Sequence, residues 1–480
     1  MKVQFLHEPE LEFGTGRHVD IRFGLMHHGP LDQLSPVCPR QIRIGIVGTA
    51  ETIEGVEKWL ERCSKGIEAK KSNQPNLFPR FPGFGEGTRL HAPILTDSQL
   101  QRVIRSGDVD ILCKTRRINE VISAAVEMFF EELERIQEKG TADVFMCALP
   151  MSLVKFIYQG VIPGVEGVER ADDSKNIDFH DMLKAKALKL GKPVQIVLPM
   201  TYDDRKRLPQ RGRHQTVRRL QDEATRAWNI YTALYYKAGG TPWRIPSDPY
   251  QLTACYIGVS FYKALDGTKL LTSTAQVFNE RGIGIILRGG TATLSKEDRL
   301  VHLEEAQAFN LMSDALKAYK AEHHNLPARV VVHKTSPFDI QELAGFRGAI
   351  RSEDVDSTDF ISVRNSSTRL FRYGPYPPLR GTFFNLDESV HVLYTRGSVD
   401  FFSTYPGLYV PRPLEVRCAQ VEQTPTFLSG EILALTKMNW NSTQFDNDEP
   451  ITVKAARNVG NILKYVGQAE VVQPRYSFYM

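Results

Sequence analysis

The chain has 480 residues, 42% of them apolar and 24% charged, with a net charge of +4. That composition excludes a disordered, collagen-like or disulfide-stapled chain and describes a globular protein with room for two or three domains. The mild basicity excludes nothing by itself, because what matters for nucleic acid is whether the basic residues cluster. The six cysteines, Cys38, Cys63, Cys113, Cys147, Cys255 and Cys418, form no CxxC hook and read as reduced core residues of a cytoplasmic protein. The start has no apolar signal region and no run of about 20 apolar residues follows, so no membrane association is expected. The sequons at Asn365 and Asn441 then read as chance matches.

From about residue 40 to 245 the pattern alternates between strand and helix. Strands are predicted over 42–47, 109–113, 143–149 and 194–198, with helices over 51–63 and 119–139 between them. This βαβα order implies a parallel sheet flanked by helices. A longer helix is predicted over 216–237, where Val217, Leu220, Ala224, Ala227, Tyr231 and Leu234 step by three and four. Gly239 and Gly240 stop it. After residue 250 the texture changes to three strands at hairpin spacing, 256–262, 272–278 and 284–287. A helix is predicted over 296–322, opened by Ser295 with Asp298 three residues on, a capping-box pattern. A strand over 329–333, a short helix, strands at 360–363, 369–373 and 391–395, and helices at 429–437 and 452–466 complete the chain. That order matches an RNase H-like fold, with the boundary near Pro246–Pro249.

The strongest local signal runs from Tyr202 to Lys237. Tyr202 and Lys206 are four apart, so one helical turn faces both the same way. Arg205, Arg207, Arg211, Arg213, Arg218 and Arg219 surround them, with Gln215 among these and Lys237 at the end of the long helix. A terminal phosphate needs these groups: ammonium charge, amide and phenol donors, and an aromatic face for the first base. Charge alone fits a solvated basic loop; the joint spacing of Tyr-x-x-x-Lys, Gln and Lys-x-Gly-Gly favours the phosphate.

These residues resemble the MID domain of Argonautes, whose 5′-phosphate pocket uses Tyr-x-x-x-Lys, a Gln in a Thr-Gln-x-Val setting, and a Lys just before Gly-Gly. The resemblance implies that Tyr202 stacks on or bonds the first nucleotide while Lys206, Gln215 and Lys237 hold its phosphate. His214 stands where Thr is usual. The second half resembles the PIWI domain through Tyr256-Ile-Gly-Val-Ser260, Ala275-Gln-Val-Phe278, Val330-Val-Val-His-Lys-Thr335 and Pro450-Ile-Thr-Val-Lys-Ala-Ala-Arg457. Cleaving relatives carry acids where this chain has Ser260, Thr335 and Arg457. A hydroxyl is a poor Mg²⁺ ligand and a guanidinium repels the ion, so a two-metal site cannot be built there.

Five further stretches look like short prokaryotic Argonautes. They are Glu8-Pro-Glu-Leu-Glu-Phe-Gly14 with Asp20-Ile-Arg-Phe-Gly24 and His28-Gly-Pro-Leu-Asp32, His333-Lys-Thr-Ser-Pro-Phe338, and Lys437-Met-Asn-Trp-Asn441. The expected organisation is α/β throughout: an N-terminal segment 1–40, a Rossmann-like MID domain 41–248 and an inactive RNase H-like PIWI domain 249–480, with no N or PAZ domain. The C-terminus, Tyr476-Ser-Phe-Tyr-Met480, fits the family's tail, whose carboxylate reaches the phosphate pocket and shares a divalent ion with it. Gln215 and Met480 would be the ligands of that Mg²⁺; a bare apolar tail fits the same residues. The resemblance further implies a short guide RNA, a complementary single-stranded DNA target, and a heterodimer with an APAZ-containing effector. That effector would be a sirtuin-like NADase, a TIR protein or a nuclease, in prokaryotic immunity.

Other features carry less. Ile44-Gly-Ile-Val-Gly-Thr49 lacks the third glycine of a dinucleotide fingerprint and reads as a strand-to-helix turn; a metabolic enzyme built on it is one rival. His27-His28 and His323-His324 have no partner at ligand spacing. Lys114, Arg116 and Arg117 fit a nucleic-acid channel or a helix flank equally. The other rival is an active nuclease using Glu280, Asp339 or Glu342.

Overall fold

The computed structural model describes residues 3–115, 117–158, 177–206, 220–246, 252–265, 267, 269–278, 284–296, 298–371, 373, 377–405, 410–444, 447–467, 470 and 472–480. The chain forms two units, one of residues 32–240 and 465–471, the other of residues 1–31, 241–464 and 472–480. Among the described residues no helix is long and apolar enough to cross a membrane. The chain opens in the second of these units with β1 (Val3–Phe5), the small hairpin β2 (Leu11–Glu12) and β3 (Arg17–His18), and α1 (Ile21–His28). Asp20 caps α1 by accepting from the backbone N–H groups of Arg22 and Phe23.

The 32–240 unit is built on β4 (Ile42–Gly48), β5 (Ile94–Val103), β6 (Val144–Ala148) and β7 (Val194–Val197), in the order β5-β4-β6-β7. Every adjacent pair is parallel, so crossovers must run over the faces. These are α2 (Ala50–Ser64), α3 (Ser106–Thr115), α4 (Ile118–Lys139), α5 (Met151–Tyr158) and α6 (Phe179–Ala187), with α7 (Pro199–Tyr202) and α8 (Glu223–Lys237) after β7. The stripe Val121, Ile122, Ala125, Phe129, Leu133 and Ile136 of α4 packs with Val47, Phe145, Cys147 and Val194 of the sheet in one core.

Two expectations fail here, each for its own reason. Residues 109–113 form α3 rather than a strand; Val109 and Leu112, three apart, are its buried positions. The missing strand is β5, an edge strand most of whose side chains face solvent, so its sequence reads as polar. The long helix begins at Glu223, not at 216: Asp222 stops it from starting earlier by accepting from the Thr225 N–H at 3.0 Å. Residues 216–219 of that expectation lie outside the described residues.

The other unit continues with β8 (Ala254–Lys263), β9 (Leu270–Phe278), β10 (Ile286–Thr291), β11 (Thr293–Leu294) and β12 (Val301–His302). Then come α9 (Glu305–His323), β13 (Arg329–Lys334), α10 (Ile340–Ser352), β14 (Ser357–Asn365), β15 (Thr382–Asn385), β16 (Val390–Leu393), β17 (Leu414–Gln420), α11 (Pro425–Leu435) and α12 (Ile451–Leu463). Nine strands form one sheet in the order β1-β15-β16-β17-β14-β13-β8-β9-β10. Its β8-β9-β10 meander is antiparallel, and β13 and β14 add in parallel beside β8, the RNase H-like arrangement.

The described residues of 296–304 are not helical. Ser295 and Asp298 close a turn instead, with Ser295 Oγ accepting from the Asp298 N–H at 3.4 Å, and α9 starts nine residues after 296. The described residues of 369–373 are also outside any strand; Arg369 donates to the carbonyls of Ser366 and Thr368 and holds a loop. The N-terminal segment is part of the sheet: β1 pairs antiparallel with β15. Buried Lys437 donates to the Val19 carbonyl at 2.6 Å and pairs with Glu8 at 3.2 Å, while Arg380 pairs with Glu8 at 2.9 Å.

One glycine is required by close packing. A Cβ on Gly258 of β8 would lie 2.1 Å from the Thr452 carbonyl oxygen in the first turn of α12. Gly258→Ala must push α12 off the sheet, which costs on the order of 1–3 kcal/mol. The expected outcome is a lowered thermal midpoint, read by calorimetry; an unchanged midpoint would contradict this packing.

Candidate functional site

The densest concentration of buried positive charge in the 32–240 unit gathers where α6, β7 and α8 meet. Asp178 caps α6 by accepting from the Asp181 N–H at 3.0 Å. The buried face of α6 comprises Phe179, Leu183, Ala187 and, one position on from Leu183, Lys184. Lys184 is 2% exposed, and Lys237, the last residue of α8, is 4% exposed. Lys237 Nζ donates to Gln195 Oε1 of β7 at 2.5 Å. The Gln195 amide N–H bonds the Ile196 carbonyl at 3.0 Å, which turns its oxygen toward the ammonium.

The charge of Lys237 is matched by no carboxylate among the described residues. Taking an ammonium out of water is costly unless a carboxylate or several acceptors replace the solvent. The partner of Lys237 is a neutral amide. Burial, and then the nearby charge of Lys184, hold the Lys237 pKa far below the ordinary lysine range. Burial lowers Lys184 to about 8, against the opposing pull of Asp181 and Asp178. His180 stands four residues before Lys184 and its Nδ1 donates to Asp181 Oδ1 at 2.9 Å. Protein packed around its ring, and then Lys184, push its pKa down although half of the side chain is open to solvent. Two buried cations that repel one another, with an imidazole at the rim, make a site that an oxyanion completes.

Of the residues singled out in sequence, only Lys237 belongs to this cluster. Tyr202 and Lys206 lie at the opposite end of α8. Arg226 in the first turns of α8 donates to the Thr201 carbonyl at 2.9 Å, and Arg62 bridges the Tyr202 carbonyl and Glu223. Since α8 has 15 residues, its two ends are about 20 Å apart. There the Tyr202 ring packs on Gly55 of α2, and Lys206 Nζ pairs with Glu51 at 2.6 Å and sits 5.7 Å from the Tyr202 ring centroid. Burial raises the Tyr202 phenol pKa. Gln215 lies outside the described residues.

Met480 is buried at the end of the other unit, where Tyr476 donates its N–H to Gly284 and Tyr479 bonds the Gln473 carbonyl through its hydroxyl. Lys184, Gln195 and His180 were missed in sequence, although His180 and Lys184 have the same four-residue spacing as Tyr202 and Lys206. For a divalent ion, the acidic group here is Asp178, His180 and Asp181, whose ligand atoms lie within 4.8 Å of one another. It suits Mg²⁺ poorly: Asp178 caps a helix, Asp181 engages the imidazole, and a lysine ammonium is adjacent.

In the other unit, Ser260 within β8 and Thr335 just past the end of β13 are neighbours on adjacent strands. Val259 pairs in parallel with Lys334, and the Thr335 N–H donates to the Val259 carbonyl at 3.2 Å. Helix α12 crosses beside them, with Thr452 Oγ1 2.8 Å from His333 Nδ1, and burial drives the His333 pKa down to about 3. Arg457 on α12 pairs with Glu449 at 2.7 Å. The rival carboxylates are engaged elsewhere. Asp339 caps α10, and fully buried Glu342 bonds Lys334 at 2.6 Å and the Leu303 N–H. Glu280 lies outside the described residues.

No family model matches the chain. In sequence it is 22% identical over 290 residues to the Argonaute protein of Aquifex aeolicus (strain VF5), a stretch covering 59% of this chain and 36% of that protein. In fold it is similar to Clostridium butyricum Argonaute, solved with a guide DNA (5′ deoxycytidine) and a 19-mer target DNA. There the TM-score is 0.63 with 14% identity, over 98% of this chain and 53% of that one. The A. aeolicus Argonaute gives 0.59 and 15%, over 98% and 53%. Drosophila Piwi gives 0.55 and 13%, over 99% and 56%. The chain thus spans about half the length of these solved structures, and its fold is Argonaute-like, a Rossmann-like MID unit with an RNase H-like PIWI unit.

The Lys184 shift has a sign that can be tested. Its folded pKa of about 8 lies below the ordinary 10.5, so between those values the unfolded chain binds more protons and stability rises with pH. Below pH 8 the destabilisation is fully present. The stability deficit of the parent relative to Lys184→Met, from urea unfolding, should therefore shrink as pH rises from about 8 to 10.5. A deficit that stays constant over that window would contradict the buried charge.

Proposed function

We propose that this chain is a guide-directed nucleic-acid recognition protein of the Argonaute kind. It captures the 5′-phosphate of a short guide strand, pairs the guide with a complementary single strand, and does not cut it. The observation that carries the reading is the Lys184–Lys237 pair, two buried lysines close enough to repel one another, the second bonded to a neutral amide, inside a unit with the MID fold. A phosphate dianion supplies what the cluster lacks. Lys237 and Lys184 hold its oxygens by charge, Gln195 keeps the Lys237 ammonium oriented, and His180 at the rim adds a donor or a face for the first base. Tyr202 and Lys206 lie apart from this pair, Tyr202 packed on Gly55 and Lys206 bonded to the exposed Glu51.

The absence of cutting rests on Ser260, Thr335 and Arg457 where oxyanion ligands for two metals would stand. Asp339 and Glu342 are committed to a helix cap and a buried ion pair, which weighs against a nuclease built on them. A protein that binds without cutting must pass its signal on. The partner that fits is an APAZ-containing effector, a sirtuin-like NADase first among them, switched on by target binding to a guide RNA in antiviral defence.

Lys184→Ala combined with Lys237→Ala should weaken a 5′-phosphorylated 20-nucleotide guide about 100-fold and leave the 5′-hydroxyl strand nearly unchanged, from the loss of two charge-assisted bonds. Lys206→Ala should leave both within about twofold. Equal losses for both strands, or a large loss from Lys206→Ala alone, would overturn the pocket. With guide and target, Mg²⁺ or Mn²⁺ should yield no cleaved product on a denaturing gel; a product that Arg457→Ala abolishes would overturn the inactive reading.

A further inference from the structure

The 32–240 unit carries two surfaces that the lysine pair does not use, and they complement one another. The first is the turn that leads into β4, where Leu34 is 82% and Val37 83% exposed. That turn is fixed at both ends. The Tyr235 hydroxyl donates to Asp32 Oδ1 at 2.7 Å, and the Ser35 N–H donates to the Asp32 carbonyl at 2.7 Å. Buried Cys38 donates its N–H to the Ser35 carbonyl at 3.3 Å and its thiol to the Gln33 carbonyl at 3.7 Å. Single exposed aliphatic side chains are ordinary on a protein surface. Two of them, three residues apart on a clamped turn, make an apolar knob. Its charge is positive: Arg40 beside it is exposed, no carboxylate pairs with Arg40 among the described residues, and the sequence from Gln33 to Ala50 contains no Asp or Glu.

The second surface is a groove of about 750 Å³ along the first half of α4. Its floor is apolar, with Ala124, Met128 and Ile177 packed half-buried on the core beneath. The Ile177 N–H donates to Asn119 Oδ1 at 3.4 Å, which seats Ile177 beside the helix. Its wall is the exposed stripe Glu120, Glu127 and Glu131, spaced by seven and four and so on one helical face. Lys186 neutralises Glu127, but among the described residues no cation pairs with Glu120 or Glu131. Residues 159–176 lie outside the described residues; their sequence sets Glu166, Glu169, Asp172 and Asp173 against Arg170 and Lys175, a poor match for an acidic groove.

Within one copy the two surfaces stand apart. The knob leads into the start of β4, and that start lies beside the end of α4: a Cβ on Gly45 would be 2.9 Å from Ile136, and the Arg43 N–H donates to Asp143 Oδ2 at 2.8 Å. The groove floor at Ala124 and Met128 is about 12–18 Å from Ile136, back along the helix. We propose that the Leu34–Val37–Arg40 knob of one copy docks in the α4 groove of a second copy, aliphatic side chains on the apolar floor and guanidinium beside the unpaired glutamates. Such a contact joins two different patches, so every dimer keeps one knob and one groove open and further copies can add. It stands without the guide-phosphate reading.

Sedimentation velocity of the full chain over a concentration series tests it. The weight-average sedimentation coefficient of the parent should rise with concentration past the dimer value. Leu34→Asp with Val37→Asp, and separately Glu120→Lys with Glu131→Lys, should each stay monomeric with the parent's circular dichroism spectrum, since all four side chains are at the surface. Mixed in equal amounts, the two variants should form a dimer and nothing larger, because each keeps the surface that the other lacks. A parent that stays monomeric throughout, a variant that associates as the parent does, or a mixture that stays monomeric would overturn the proposal. No guide strand is present in any of these samples, so failure here is distinguishable from failure of the phosphate pocket.

Discussion

Two buried lysines that repel one another, Lys184 and Lys237, are the constraint around which one end of the 32–240 unit is organised. Lys237 ends a helix whose other residues are largely core, and its ammonium meets a glutamine oxygen. Lys184 faces it from α6, close enough to depress its pKa further. Neither lysine could be retained for stability alone, because a methionine of similar volume fills the same space without desolvating a charge. Strain of this kind, stored in a rigid α/β scaffold, is what an anion-binding site requires: cations preorganised and dehydrated before the ligand arrives.

The other unit shows the contrast. Its buried cations are matched. Lys334 pairs with Glu342, Lys437 with Glu8, and Arg329 with Asp359 and Glu431. These pairs tie strand to helix and the N-terminal segment to the sheet. A carboxylate engaged in such a pair is not free to bind metal, and at the positions where RNase H chemistry would occur Ser260 and Thr335 stand side by side. Lys237 of one unit meets a neutral amide, whereas Lys334, Lys437 and Arg329 of the other meet carboxylates. That division fits a protein that grips a guide in one place and transmits rather than hydrolyses in the other.

Much of the scaffold was legible in sequence because its signals are local. Apolar runs such as 42–47 and 143–149 are buried on both faces of a parallel sheet, and the period of α4 cannot be read as anything else. Edge strand β5 was hidden because solvent takes its side chains, and α3 was misread because a five-residue apolar run has no period of its own. The phosphate residues were partly hidden for a different reason. Lys184, Lys186, Lys189 and Lys192 follow one another closely, and spacing cannot say which is buried. Lys186 pairs with Glu127 and Lys189 with Glu134 on the surface, leaving Lys184 inward. The usable clue was its place beside Leu183 on the stripe Phe179, Leu183 and Ala187, where a lysine does not belong unless it has work there. The basic run around Tyr202 drew the eye by density, yet Lys206 is neutralised by Glu51 across the chain.

The central claim is that Lys184 and Lys237 hold a 5′-phosphate, so that above the free-protein pKa of Lys184 binding must draw a proton onto the pocket. Calorimetric titration of a guide strand at pH 8.5, repeated in buffers of different ionisation enthalpy, measures that proton directly. The account predicts net uptake of roughly one proton with a 5′-phosphorylated strand and none with the 5′-hydroxyl strand, because Lys184 titrates near 8 in the free protein. Equal uptake with both strands, or none with either, would contradict it.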